Sequence, residues 1–249
     1  MMLIAGDGKS NVFGVDSLDY RKWARSEAAS RIGPFKRDIK NGDFNLVLTN
    51  PPFSGKITGK EQLSAFELYE LQQSGKLTED EEEKPKAKPK RKVNSMKRDI
   101  LFIERCLRFL KPGGRMAIVL PQGNLNNIGT KALREWIMQK ARVLAVVGLG
   151  NNTFKPFTGT KTSVVFLQKW GGKAGKPIAD YPIFMATSER SGKNNSGDYV
   201  TLSDKEGHLI DKEGNVLDPL KEKPIIDHDL NDVAKTFKDF CGKEGIKLN

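Results

Sequence analysis

The tetrapeptide Asn50-Pro51-Pro52-Phe53 has the residue types, in the right order, to hold a flat ring that carries an amine. The Asn50 side chain offers a carbonyl oxygen, and Pro51 offers a backbone carbonyl whose direction is restricted by proline rigidity. Two acceptors around one exocyclic amine draw charge onto its nitrogen and aim its lone pair at a methyl donor. Phe53 adds a face on which an extruded base can stack. These residues predict methylation of an exocyclic nitrogen, and the alternative is a plain turn.

An apolar run precedes the tetrapeptide and predicts the strand that positions it. Residues 44–49 are largely apolar with β-branched content, and two prolines follow them directly. Proline lacks a backbone donor, so a sheet ladder must stop there and an extended turn must begin. Ligands of open α/β sheets bind outside the carboxyl ends of the strands. We therefore expect Asn50 at the ligand-binding edge of a sheet.

The rest of the chain alternates between helix and strand patterns. Amphipathic spacing predicts helices at residues 61–73, 99–110, 130–140 and 229–240. Apolar runs predict strands at 11–15, 116–120, 143–149, 163–167 and 181–185, and the lack of polar alternation in 116–120 predicts burial on both faces. The order predicts an α/β, doubly wound, Rossmann-like sheet with a hairpin near its end. We expect a catalytic domain at residues 1–170 and a small irregular C-terminal extension at 171–249 that ends in a helix.

Residues 74–95 form a charged insertion, an acidic block followed by a basic block with prolines. Such blocks cannot bury enough apolar surface to offset chain entropy, which predicts a solvated segment. The segment is interpreted as a spacer, and the alternative is a basic arm that contacts DNA phosphates.

Composition limits the classes of function that the chain can have. The net charge of +11 favours polyanions such as DNA as partners. The chain has two cysteines, Cys106 and Cys241, which are far apart in sequence, and this predicts a reduced cytoplasmic setting. The two histidines, His208 and His228, are also far apart. These spacings predict neither a metal site nor a Ser-His-Asp triad. No apolar run approaches the roughly 20 residues that span a bilayer, and the N-terminus lacks a signal-peptide pattern, so no membrane partner is expected.

Residues 44–53 resemble motif IV of amino-methyltransferases that act on adenine N6. Further stretches resemble the modification (M) subunit of type I restriction–modification systems: Asp99 to Glu104, Leu110-Lys111-Pro112-Gly113-Gly114-Arg115, Leu120-Pro121-Gln122-Gly123, Val146-Val147-Gly148-Leu149 with Phe154, Thr160 to Lys169, Ile183-Phe184-Met185-Ala186, and the closing helix around Phe237 and Phe240. The likeness covers most of the chain outside the charged insertion.

The resemblance implies S-adenosylmethionine as methyl donor and a flipped adenine in DNA as substrate. It also implies two protein partners. One is a separate specificity subunit that reads the DNA sequence, and the other is the restriction subunit. The catalytic residues it implies are Asn50, Pro51, Pro52 and Phe53. Asp16 matches the family's stretch after the third strand, where it would accept a hydrogen bond from the adenine amino group of the cofactor; the alternative is a plain strand-terminating Asp.

One part of the family's pattern is missing from the sequence. The family has a glycine-rich cofactor loop after its first strand and an acidic residue after its second, whereas Gly6-Asp7-Gly8 has neither an apolar strand before it nor a helix pattern after it. The chain is therefore interpreted as N-terminally truncated, or as one part of a split gene. The missing strands would leave interior sheet edges unpaired, so we expect the isolated chain to bind S-adenosylmethionine weakly and to be inactive alone.

Two other functions stay open at this point. One is a non-catalytic relic that binds DNA or a partner subunit through its basic surface. The other is an Asn-Pro-Pro methyltransferase that acts on RNA bases or protein amides, since the chemistry at Asn50 would be the same.

Overall fold

The computed structural model describes residues 16–19, 41–74 and 94–247. The strand predicted at 11–15, the Gly6-Asp7-Gly8 segment and residues 75–93 of the charged insertion lie outside the described residues.

The centre of the fold is a five-stranded sheet, and a two-stranded ribbon lies beside it. In chain order the strands are β1 (Phe44–Thr49), β2 (Lys56–Ile57), β3 (Met96–Lys97), β4 (Leu110–Pro121), β5 (Ala141–Gly148), β6 (Thr162–Lys169) and β7 (Phe184–Thr187). The sheet order is β1-β4-β6-β5-β7, and β2 pairs with β3 in the ribbon. The pairs β1–β4 and β5–β7 are parallel, whereas β6 is antiparallel to both of its neighbours. The predicted α/β class is confirmed, as is the hairpin, which β5 and β6 form.

Helices cover both faces of this sheet. In chain order they are α1 (Lys60–Leu63), α2 (Glu67–Gln73), α3 (Arg98–Phe109), α4 (Gly123–Asn126), α5 (Lys131–Lys140) and α6 (Leu230–Lys243). Helices α3 and α5 pack on the face that carries Met116, Ile118 and Leu120, and together they form the larger core. Helix α6 packs through Phe237 and Phe240 on the other face, against β5, β6 and β7.

Two local predictions need correction. The helix predicted at 61–73 is broken into α1 and α2, because the buried Glu104 carboxylate accepts the backbone N–H groups of Glu67 and Leu68 and starts a new helix there. Strand β4 is not buried on both faces: alternate residues from Met116 to Leu120 are fully buried, whereas Ala117 and Val119 between them are half-exposed. The cause is that α6 covers the β5–β7 side of the second face.

Strand β1 is the edge strand of the described sheet. Leu46 and Leu48 are 57 % and 70 % exposed, so one face of β1 is uncovered, whereas Val47 on the other face packs into the core. Beyond residue 170, β7 and α6 join the same sheet and its second core. The division of the chain at 170 stays a prediction. In residues 16–19, 41–74 and 94–247, no helix combines the length and the apolar character needed to cross a membrane.

Candidate active site at the carboxyl end of strand β1

The Asn50–Phe53 segment lies where the sequence places it, directly after the last residue of β1. Asn50 is exposed, Pro51 is buried and Phe53 is half-buried. Within the described part of the chain, no protein group hydrogen-bonds the Asn50 side-chain amide or the Pro51 carbonyl. The exposed Asn50 amide is therefore available to a ligand at this edge.

The last residue of β1 lies beside helix α3. Thr49 is close enough to Cys106 to affect the pKa of its thiol, and Cys106 lies in the larger core. Burial raises the pKa of the Cys106 thiol to about 12, although the Arg105 charge and the Thr49 hydrogen bond act in the opposite direction. Cys106 is thus a neutral packing residue of the larger core.

Phe154 is a site residue whose role the tetrapeptide does not reveal. It lies in the loop between β5 and β6, and its ring meets Phe53 edge to face, with ring centroids 5.5 Å apart at 83°. This loop starts at the carboxyl end of β5, the same edge of the sheet to which β1 delivers Asn50. That position, rather than spacing along the chain, is the signal that identifies Phe154.

The segment after β4 also reaches this edge and is held by hydrogen bonds. The backbone N–H of Gln122 donates to the Lys161 carbonyl at 2.9 Å, which joins this segment to the start of β6. The buried Asn124 donates its side-chain N–H to the Asp99 carboxylate at 2.8 Å, which joins it to the start of α3. Asp99 is buried too, so the edge is built on fixed contacts.

Asp16 lies on a separate turn docked on helix α3. Its carboxylate accepts the Leu18 backbone N–H at 3.0 Å, and the Ser17 carbonyl accepts a hydrogen bond from Arg105 Nε at 3.0 Å. Leu18 is buried in the larger core and holds the turn in place.

The described residues around this turn do not by themselves enclose a cofactor. The cavity lined by Leu18, Asp19, Phe66 and Arg105 has a volume of about 100 Å³, whereas small-molecule sites have volumes of roughly 300–1,000 Å³. S-Adenosylmethionine therefore does not fit within this cavity. Asp16 does not line it, and its role toward the cofactor stays a prediction.

One group of possible metal ligands occurs in the described residues, outside the Asn50 edge. The ligand atoms of Asp204, Glu206 and His208 lie within 4.8 Å of one another. The Asp204 carboxylate accepts the backbone N–H groups of Glu206 and His208 and lies 3.0 Å from His208 Nδ1. These contacts account for the cluster as a tight surface turn.

Comparisons with known proteins identify similar chains. The chain is 26 % identical over 126 residues to the type I restriction enzyme EcoEI methylase subunit of Escherichia coli, covering 50 % of this chain and 21 % of that protein. It is 24 % identical over 158 residues to the type II restriction enzyme and methyltransferase RM.Eco57I of Escherichia coli, covering 64 % of this chain and 14 % of that protein. The chain thus spans about a fifth or less of the length of these curated relatives.

Among solved structures, one similar chain is the type I restriction–modification system methyltransferase subunit of Streptococcus thermophilus. The TM-score is 0.49 with 21 % sequence identity, over 95 % of this chain and 38 % of that one. The family model described as N-6 DNA Methylase matches residues 2–240, nearly the whole sequence. The chain therefore belongs to the N-6 DNA methylase family.

Proposed function

We propose that this chain supplies the adenine-holding part of an N6-adenine DNA methyltransferase, the modification subunit of a type I restriction–modification system. The observation that carries the proposal is the exposed Asn50 amide, followed by Pro51, at the carboxyl end of strand β1 in a chain of the N-6 DNA methylase family. The names of the relatives support the restriction–modification setting.

The two oxygens act on the amine of the target base. Asn50 Oδ1 and the Pro51 carbonyl each accept one N–H of adenine N6, which concentrates electron density on the nitrogen and turns its lone pair away from the ring. Pro51 is buried and its ring restricts the backbone, so its carbonyl keeps its direction when the base arrives. Such positioning is the main contribution that fixed dipoles make to catalysis.

The two aromatic rings hold the base. Aromatic contacts have centroid separations of roughly 4.5–7 Å, so a base that lies between Phe53 and Phe154 needs more than the 5.5 Å found between them. The pair must therefore open when adenine enters, and the Phe154 loop or the Phe53 side chain moves. The energy lost from the ring pair is replaced by stacking on the base, worth about 1–3 kcal/mol.

S-Adenosylmethionine is the methyl donor that the family implies, and it supplies the methyl group when bound. Asp16 is the residue that we propose for its adenine amino group. The proposed partners are DNA, a specificity subunit that reads its sequence, and a restriction subunit.

The replacement Asn50→Ala tests the proposal. The gene is expressed with its neighbouring reading frames in a host without adenine methylation, and N6-methyladenine in genomic DNA is measured by mass spectrometry. We expect the modified base with the wild-type gene and none with Asn50→Ala, because one of two amine acceptors is lost. Asn50 is exposed, so the variant should fold, which circular dichroism of the purified chain checks.

Two outcomes would contradict the proposal. Methylation that stays within a few-fold in Asn50→Ala would remove Asn50 from the mechanism. No N6-methyladenine in DNA with the wild-type gene would favour the relic, or RNA and protein amides as substrates, and these are measured in the same extracts.

A further inference from the structure

The two-stranded ribbon beside the active-site turn carries its charges in an unfavourable arrangement. Strands β2 and β3 pair Ile57 with Met96 and Lys56 with Lys97. Met96 is buried and Ile57 packs on the larger core, whereas both lysines are exposed. Paired residues share a face of the ribbon, so the apolar pair faces inward and the two ammonium groups face solvent side by side.

This pairing costs stability in the chain alone. Residues directly opposite in an antiparallel ribbon have Cβ atoms roughly 4.5–5.5 Å apart, and like charges there are destabilising. Lys97 also precedes helix α3, and Arg98 is its first residue. The N-terminus of a helix carries partial positive charge, so cations are unfavourable at this position as well.

Nothing in the described chain offsets these charges from outside. Among the described residues, Lys56, Lys97 and Arg98 have no carboxylate within ion-pair distance. The nearest acid in sequence is Asp99, but it is buried, and its carboxylate accepts hydrogen bonds from the Ile100 N–H and the Asn124 amide. As far as residues 16–19, 41–74 and 94–247 are concerned, the three cations therefore present uncompensated charge to solvent.

The ribbon is held close to the base-holding turn. The Arg98 backbone N–H donates to the Gly55 carbonyl at 3.2 Å. The Arg98 guanidinium lies over Gly55, where a Cβ atom would come within 3.2 Å of its carbon. Gly55 has φ of +92°, so the lack of a side chain serves both the turn and this approach. Only Ser54 separates Gly55 from Phe53, so the segment that Arg98 contacts follows the base-holding ring almost directly in the chain.

We propose that Lys56, Lys97 and Arg98 bind DNA backbone phosphates beside the adenine held at Asn50–Phe53. The inference rests on the proposed function, since it assigns DNA as the ligand of this edge. A phosphate oxygen pair removes the repulsion between the two lysines and is also favoured by the N-terminus of α3. The ribbon fixes the strand from which the base is turned out and carries no sequence information itself.

The salt dependence of DNA binding tests this assignment. The affinity of the purified chain for a fluorescent duplex is measured by anisotropy from low to high salt. Each lost phosphate contact lowers the slope of log affinity against log salt by about 0.9. In the double variant Lys56→Gln/Lys97→Gln, the magnitude of this slope should fall by about 1.8. That change corresponds to an affinity for the duplex about 60-fold below that of the wild type at 0.1 M salt. Arg98→Gln should lose about 0.9.

A matched control removes the same charge elsewhere. Lys235 and Lys238 are exposed on α6, on the opposite face of the sheet from α3, so Lys235→Gln/Lys238→Gln changes net charge equally. We expect the control variant to keep the wild-type slope. The variant Lys56→Arg/Lys97→Arg keeps both positive charges and should also keep the wild-type slope. Equal losses in the ribbon and control variants, or no loss in the ribbon variant, would overturn the assignment.

This result is separable from the test of Asn50. N6-methyladenine that depends on Asn50, together with an unchanged slope in the ribbon variant, would leave the proposed function standing and refute the ribbon. A reduced slope without N6-methyladenine would support phosphate binding by the ribbon while refuting the methyltransferase proposal.

Discussion

The buried carboxylate of Glu104 should contribute a large share of the stability of the segment that follows the active-site turn. Its two oxygens accept the backbone N–H groups of Glu67 at 2.8 Å and Leu68 at 2.9 Å, and one of them lies 2.5 Å from the Arg108 guanidinium. Glu104 is 2 % exposed, whereas the Arg108 side chain is 38 % exposed. The replacement Glu104→Gln keeps the shape of the side chain but removes the charge and one acceptor.

The expected loss follows from these three contacts. A hydrogen bond to a charged acceptor contributes about 1.5–3 kcal/mol, and a buried donor left unpaired costs a similar amount. In Glu104→Gln one bond to α2 is lost and the other becomes neutral, while Arg108 can return to water. We expect the free energy of unfolding to fall by about 3 kcal/mol, out of the roughly 5–15 kcal/mol typical of a domain.

Urea unfolding followed by circular dichroism measures this change. With a urea dependence of about 1–3 kcal/mol per molar, the midpoint should fall by at least about 1 M. Glu135→Gln is the control, because Glu135 is exposed on α5 and its change should stay within about 0.5 kcal/mol. A loss below about 1 kcal/mol in Glu104→Gln would show that the carboxylate does not hold the start of α2.

Two further predictions concern titratable groups. Burial raises the pKa of the Cys106 thiol to about 12 and also raises the pKa of the buried Cys241 thiol. Neither thiol should therefore react quickly with a disulfide reagent at pH 8 until urea unfolds the chain. Rapid reaction of the native chain would contradict the burial of these two side chains. Burial acts to raise the pKa of Asp229, but hydrogen bonds from the Ser188 hydroxyl and from the backbone N–H groups of Glu189 and Arg190 outweigh it, so the pKa lies below its usual value. Because the folded-state pKa is depressed, this stabilisation is present above about pH 4 and lost as pH falls through the folded-state pKa. At pH 6 the free energy of unfolding of the wild type should therefore exceed that of Asp229→Asn, and the difference should shrink toward pH 3. If urea unfolding gave the same difference at both pH values, the Asp229 carboxylate would not be the source of the stabilisation.

The part of the fold that local chemistry determines was predictable from the sequence. Strand β1 ends at Thr49 because two prolines follow Asn50 and cannot donate to a ladder. The hairpin of β5 and β6 follows from two apolar runs joined by a loop that contains Gly159. These signals are contained in a few adjacent residues, and at these two positions the distant contacts agree with them.

The remainder depends on contacts between residues far apart in the chain. The break between α1 and α2 is set by Glu104, 37 residues from Glu67, and nothing near Glu67 marks it. Strand β4 begins at Leu110, although Pro112 and the glycines after it suggest a turn; the glycines instead allow close contact, since a Cβ on Gly114 would come within 2.9 Å of the Phe44 carbonyl. Phe154 could be placed at the candidate site only once the sheet order was known.

The position of strand β6 has a consequence for the order in which the protein can assemble during synthesis. Strand β6 lies between β4 and β5, although it follows both in the chain. The half of the sheet that carries Asn50–Phe53 and the half that carries the Phe154 loop are therefore joined only after residues 162–169 have left the ribosome. A nascent chain that stops before Thr162 can form the Asn50 turn but has no frame to bring Phe154 to Phe53. The Phe53–Phe154 pair is thus completed late in translation, after Asn50 and Pro51 have been synthesised.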